Sequence, residues 1–278
     1  MIQPFFTILT PVFNGEKHIQ RVFDSITVQT FKDFEWIIVD DGSTDNTGHL
    51  IKSFIEQHPE ISIRYIEQEH NGKHIAWNKG IEKANGKILV PADADDSFLP
   101  EALSFFHSQW NALSIKEQKG ISGINVLCFD NDSNEIVGPP FPQNRMVTNN
   151  LELGYKYKIT GEKWGCVRVD LLKSRPFPNV KKGYYPESYL WLHFAKNYQV
   201  ICFNKPLRRY FTTPTGIIQS SKIKKDLYKA KILIRYNIWF LRNFGFYVLR
   251  HSPKVIYQKV KEIISSIIVI IRKSLSRK

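Results

Sequence analysis

Three carboxylates fall within four residues in the run Asp93-Ala94-Asp95-Asp96, with Pro100 close behind. Hard oxygen ligands crowded this tightly repel one another unless a cation offsets their charge, and a divalent ion that keeps open positions also takes phosphate oxygens. The spacing points to Mg²⁺ or Mn²⁺ bridging a diphosphate. Asp96 as a helix N-cap beside two solvated neighbours is the other reading of the same run. Two more polar clusters stand upstream, Thr10-Pro11-Val12-Phe13-Asn14 and Asp40-Asp41-Gly42-Ser43. No G-x-x-x-x-G-K-[ST] loop is present, which argues against a P-loop enzyme. His18, His70, His74 and His193 read as surface or core residues rather than metal ligands.

These clusters act together only if the elements around them bring them together. Residues 5–13 read as a buried strand and 16–28 as a helix, followed by a strand at 34–40, a helix at 45–58, a strand at 61–67, a helix at 72–85 and a strand at 87–92. That alternation predicts a mostly parallel α/β sheet with helices on both faces. Ligands of such sheets sit beyond the carboxyl ends of the strands, where all three clusters fall, so the clusters are expected to share one crevice. Further on, 99–118 reads as one helix and 121–129 as a strand. Residues 131–158 read as a long loop excursion, 186–196 as a helix, and 199–204 and 207–211 as two strands.

The charge is unevenly placed. The chain has 278 residues and a formal charge of +13. From Lys222 to Lys278 there are 15 Lys and Arg against 2 Asp and Glu, so the first 221 residues are balanced. A neutral body at 1–221 and a basic tail at 222–278 speak against nucleic acid as a partner of the body and for a tail that meets an anionic surface. Within the tail, 255–271 places Ile256, Val260, Ile263, Ile264, Ile267 and Ile271 at helical spacing, the pattern of a basic amphipathic helix on an inner-leaflet membrane. Packing on the core or on a partner is the alternative. Cys128, Cys166 and Cys202 offer no disulfide framework and fit a reducing cytoplasm. The apolar run 5–13 is unlike a signal peptide, and no stretch approaches the roughly 18 apolar residues that span a bilayer.

Four segments taken together resemble the family 2 glycosyltransferases: TPVFNGEKHI from Thr10, QTFKDFEWIIVDDGSTDNT from Gln29, NKGIEKANGKILV from Asn78 and DADDSFLPEAL from Asp93. NGKHIAWNKGI, GEKWG, RPFPNVKKGYYPES and LWLHFAK further resemble a bacterial subgroup, so the likeness spans about 5–216. It implies the GT-A fold and an inverting, metal-dependent sugar transfer. By that resemblance Pro11, Val12 and Phe13 wall a nucleobase, and Glu16 and Asp41 hydrogen-bond the nucleoside. Asp93 and Asp95 are the acids of a D-x-D motif around Ala94, with Asp95 the direct metal ligand. Lys73 meets the diphosphate on account of its charge and position. Glu187 is the general base, a carboxylate that must come within about 3 Å of the acceptor hydroxyl. Glu162 contacts donor or acceptor.

The resemblance also shows departures. Pro186-Glu187 stands where many members have Glu-Asp, Trp77 where many have Arg, and Thr212-Thr213-Pro214 where many have His. The expectation is a glycosyltransferase using a nucleotide-sugar donor, a UDP-sugar first, and a glycan or lipid-linked glycan acceptor in cell-surface polysaccharide synthesis. It would be cytoplasmic and peripheral on the inner face of the membrane. The rival is a catalytically silent GT-A-fold module that serves as a membrane-associated interaction partner.

Overall fold

A computed structural model describes residues 3–180, 185–211 and 227–275. Its first half alternates strand and helix as expected: β1 (Phe6–Val12), α1 (Ile19–Thr27), β2 (Phe34–Asp40), α2 (Thr47–Gln57), β3 (Ser62–Glu67), α3 (Lys73–Lys83) and β4 (Ile88–Pro91). Strands β1 and β2 are buried along their whole length. Their near-continuous apolar runs suit a central parallel strand covered on both faces. Strand β1 pairs in parallel with β2 and β4, and β2 with β3. One core cluster gathers Val22, Phe23 and Ile26 of α1 on one face of the sheet, and a second gathers Ala76, Trp77 and Ile81 of α3 on the other.

The second half departs further from expectation. After β5 (Ser97–Phe98) come α4 (Ala102–Asn111) and α5 (Ile115–Gly120), where one helix was expected. The break has a local cause. Ser114 starts a new helix with a capping box, its backbone N–H donating to Glu117 Oε2 at 2.8 Å while its hydroxyl accepts from the Glu117 N–H at 3.3 Å. Strand β6 (Ile121–Asp130) follows, and the expected loop excursion contains β7 (Arg145–Thr148) and α6 (Asn150–Tyr155). Phe141, Met146 and Leu153 close a small core with Leu127 and Cys202, so this stretch packs rather than wanders.

Strand β8 (Lys163–Arg168) runs antiparallel between β4 and β6, and α7 (Val169–Ser174) and α8 (Ser188–Phe194) follow. The two strands expected at 199–204 and 207–211 are one, β9 (Gln199–Tyr210). Its pairing with β6 shifts register where Leu127 meets Pro206, a residue with no N–H to give the ladder. The sheet order is β3-β2-β1-β4-β8-β6-β9-β5, with β7 on β9.

The tail forms two helices, α9 (Leu227–His251) and α10 (Pro253–Leu275). Helix α9 is built into the body: Ile232 and Tyr236 join the core around Tyr189 and Leu190 of α8, and the Ser188 and Tyr236 hydroxyls lie 2.7 Å apart. The stripe expected on one face of the last helix is divided. Ile256 and Ile263 are half-buried, whereas Val260, Ile264, Ile267 and Ile271 are exposed. Among the described residues no helix is long and apolar enough to cross a membrane.

Candidate active site

The parallel strands deliver their carboxyl ends side by side, since Val12 of β1 pairs with Asp40 of β2 and Leu9 of β1 pairs with Pro91 of β4. The three polar clusters therefore share one edge of the sheet, as the strand alternation predicts.

Asp41, the residue after β2, is 2% exposed. One carboxylate oxygen accepts from Gln68 Nε2 at 2.7 Å and the Asn71 N–H at 2.9 Å, and the other from the Gly72 N–H at 2.8 Å. His70 Nδ1 lies 3.0 Å away. The carboxylate thus folds the 68–72 loop around itself, and that loop leads straight into Lys73 at the start of α3. Gly42 makes the approach possible. Its φ is +80°, and a Cβ there would sit 2.8 Å from the His70 backbone nitrogen.

Lys73 Nζ lies 2.8 Å from Asp93 Oδ1 and 2.9 Å from Glu187 Oε1. One ammonium thus joins the first acid of the D-x-D run to the candidate base, residues separated by nearly a hundred positions. Burial works against the charge on Lys73, but Asp93 and Glu187 outweigh it and raise its pKa well above the lysine range. Burial also pushes the Asp93 carboxyl up, and Lys73 with Arg208 more than reverses this, leaving it below the usual carboxylate range.

Arg208, on β9, is the member of this charged cluster that sequence reasoning missed. Its buried guanidinium is bonded to Asp96, lies 3.5 Å from Asp93 and stands 4.0 Å from Glu162. Burial raises the Asp96 carboxyl, Arg208 draws it down, and the like charges of Asp93 and Asp95 tip the balance upward. Asp96 is therefore neither a helix N-cap nor solvated. Asp95 is raised by burial and by Asp93. Burial likewise raises Glu162, against the pull of Arg208.

A cavity of about 180 Å³ is lined by Asp93, Glu162, Glu187, Arg208, Trp77 and Trp191, among others. It is smaller than a typical ligand cleft of about 300–1,000 Å³, so it suits one part of a substrate rather than the whole. Trp77 and Trp191 meet edge to face at 6.3 Å, and the buried Trp77 indole N–H has no hydrogen-bond partner.

The remaining expected residues are spread along the crevice. Phe13 is 46% exposed and stacks on His70 with ring centroids 4.1 Å apart. Pro11 and Val12, expected to wall the same ligand, are interior, and Val12 belongs to the core. Glu16 is exposed and accepts from the Asn46 N–H at 2.9 Å, and Ala94 is half-buried. Tyr184 and Thr212, Thr213 and Pro214 lie outside the described residues.

The donor set fits a hard divalent ion. Asp93 and Asp95 offer carboxylate oxygens, and Asp95 is raised by burial and by its neighbour's charge, a repulsion that a cation relieves. Among the described residues no group of three His, Cys, Asp or Glu side chains forms a metal cage. An ion here would keep positions open for other oxygens.

Residues 7–137 match the sequence model of Glycosyl transferase family 2. Over that stretch, just under half of its length, the chain is similar to that family. A glycosyltransferase of Haemophilus influenzae is 24% identical over 246 residues, 87% of this chain and 90% of that protein. The GalNAc(5)-diNAcBac-PP-undecaprenol beta-1,3-glucosyltransferase of Campylobacter jejuni is 25% identical over 197 residues, 69% of this chain and 60% of that one. The chain spans only 14% of the length of glycosyltransferase GlyA of Streptococcus pneumoniae, to which it is 38% identical over 96 residues, 34% of this chain. Among solved structures, S. aureus TarS 1–349 in complex with UDP-GlcNAc matches with a TM-score of 0.63 at 17% identity, covering 85% of this chain and 66% of that one. The mannosyltransferase PcManGT of Pyrobaculum calidifontis, in complex with GDP-Man and Mn²⁺, matches with a TM-score of 0.60 at 18% identity, covering 99% and 76%. The fold of this chain is GT-A.

Proposed function

We propose that this protein is a family 2 glycosyltransferase that moves one sugar from a nucleotide-sugar donor, a UDP-sugar first among the candidates, to a hydroxyl of a glycan or lipid-linked glycan, with inversion. The observation that supports this is the bridge from Asp93 through Lys73 to Glu187, which joins the carboxylate proposed as the base to an acid proposed to face the diphosphate. The acceptor oxygen attacks the anomeric carbon as the bond from that carbon to the diphosphate breaks, and Glu187 takes the hydroxyl proton. The nucleoside diphosphate leaves on the opposite face. Asp93 and Asp95 would hold Mn²⁺ or Mg²⁺, which when bound neutralises charge on the departing diphosphate. Lys73 is placed to turn from the carboxylates to the phosphates.

On the nucleoside side, the exposed ring of Phe13 stacked on His70 is the aromatic surface for a base. Asp41 acts by shaping the loop beside that surface, and Glu16 stands at its edge. Glu162 faces the cavity where donor sugar and acceptor meet. The Campylobacter relative, whose name specifies an undecaprenol-linked acceptor, supports a lipid-linked substrate, and the basic C-terminal helices support a peripheral site on the inner face of the membrane.

Thermal unfolding with UDP, GDP, CDP and dTDP, each with and without Mn²⁺, tests the donor site. A ligand at 100 times its Kd adds about 2.7 kcal/mol of stability. One nucleotide is expected to raise the Tm only with Mn²⁺, and Asp95→Asn to abolish the rise. Glu187→Gln should keep that rise and lose transfer by at least about 100-fold, the smaller end of general-base contributions. No stabilisation by any of the four would sink the reading.

A further inference from the structure

Eleven of the sixteen large hydrophobic side chains that stand exposed among the described residues lie on α9 and α10. Helix α10 uses one flank against α9. Ser266 on that flank is fully buried, Glu262 accepts from Asn237 Nδ2 at 2.8 Å, and Lys259 lies over the rings of Tyr236 and Phe240. On the other flank Val260, Ile264, Ile267, Ile268, Ile271 and Leu275 are 41–67% exposed. At about 100° per residue these six fall within an arc of about 100°. Lys254, Lys261 and Arg272, all exposed, form a column along one edge of that arc. The one acid of α10, Glu262, is turned to Asn237 and Lys259, and α9 contains none.

We propose that this flank of α10 lies in the plane of an anionic lipid surface, its apolar arc at the headgroup–acyl boundary and its basic column on the lipid phosphates. The inference rests on the membrane placement proposed above and names the surface responsible for it, without using the transfer chemistry. Charge selects the occupant. A second copy docked antiparallel through the same flank would bring one basic column towards another, and in either orientation the flank offers no acid to meet that column, whereas anionic headgroups complement it. Each basic side chain near such a surface strengthens binding about fivefold, and salt screens the effect. The interfacial pattern is an apolar face beside a basic one on a helix that lies on the bilayer rather than crossing it.

The test is co-sedimentation of the full chain with vesicles of phosphatidylcholine alone or mixed with phosphatidylglycerol, at low and high salt. The wild type is expected to bind the anionic vesicles at least tenfold more tightly than the neutral ones, and less tightly at high salt. Ile264→Asp with Ile268→Asp should weaken that binding at least tenfold. Lys254→Gln with Lys261→Gln and Arg272→Gln should bind both vesicle types alike. These positions are exposed, so thermal melts in solution should match the wild type and separate lost binding from lost folding. Equal binding of wild type and variants, or no preference for anionic vesicles, would overturn the proposal. So would a dimer in ultracentrifugation that the two aspartates dissociate, in a chain that ignores vesicles. Nucleotide-induced stabilisation of the same proteins reports on the donor site separately: vesicle binding without it would remove the transfer reading and leave this one standing.

Discussion

Arg208 changes what the acidic run means. From spacing alone, Asp93, Asp95 and Asp96 are three candidates for one ion. With the guanidinium in place they divide: Asp96 is bonded to Arg208 in the interior, Asp93 is shared between Arg208 and Lys73, and Asp95, raised by burial as Asp96 is, forms an ion pair with neither. Breaking a buried pair of this kind by removing one partner typically costs about 3–5 kcal/mol, so Arg208 supports the fold of the site as well as its charge. Glu162 responds to the same crowding. Its folded-state carboxyl is raised by burial above the ordinary 4.5, so between 4.5 and that raised value the native state binds more protons than the unfolded chain. Its contribution to stability therefore falls as pH rises through that window. Glu162→Gln should gain Tm relative to the wild type as the pH is raised from 4.5, while the two differ least below it. Thermal melts across that range check the sign, and a parallel pH dependence in both proteins would contradict it.

At the scale of elements, the loop between β3 and α3 decides whether Lys73 reaches its partners. Asp41 gathers the loop by its backbone N–H groups, and Gly42 lets it come close. Gly42→Ala would place a methyl against the His70 backbone, which cannot yield as a flexible side chain can, in a φ region costly to alanine. A loss of about 1–3 kcal/mol is expected. It should appear in denaturant unfolding together with weaker nucleotide binding, because the displaced loop carries Lys73. Unchanged affinity in a destabilised Gly42→Ala protein would mean that the loop does not position the donor site.

For the whole molecule, the charge boundary and the packing boundary differ. Composition divides the chain at Lys222, yet Ile232, Tyr236, Phe240 and Phe244 of α9 are buried against the body, on and around the helix that begins after Glu187. Burying each such side chain is worth about 1.5–3 kcal/mol. Together they rival the roughly 5–15 kcal/mol of net stability usual for a domain. A chain truncated after Ser221 should thus fail to accumulate in folded form. One truncated after Ser252 should melt cooperatively and still bind nucleotide. Expression and calorimetry of the two truncations distinguish this from a freely appended tail, for which both would fold alike.

The first half of the fold, the family likeness and the sheet edge that gathers the polar clusters were all legible in the sequence. Strands β1 to β4 are continuous apolar runs ending in polar turns, and their periodicity is local information. The D-x-D acids, Lys73 and Glu187, which the fold brings together, could be singled out as candidates because each sits in a short motif. Tertiary structure decided what depends on distant partners. Strand β8 and the joining of β9 into one strand follow from pairing with β6. The burial of Pro11 and Val12 reflects covering on both faces of β1, and the division of the α10 stripe reflects packing on α9. Arg208 looks in sequence like an ordinary basic residue in a strand. It becomes the counter-charge of the site because the fold places it beside Asp96, more than a hundred residues earlier, and only the low dielectric of that interior gives the pairing its weight.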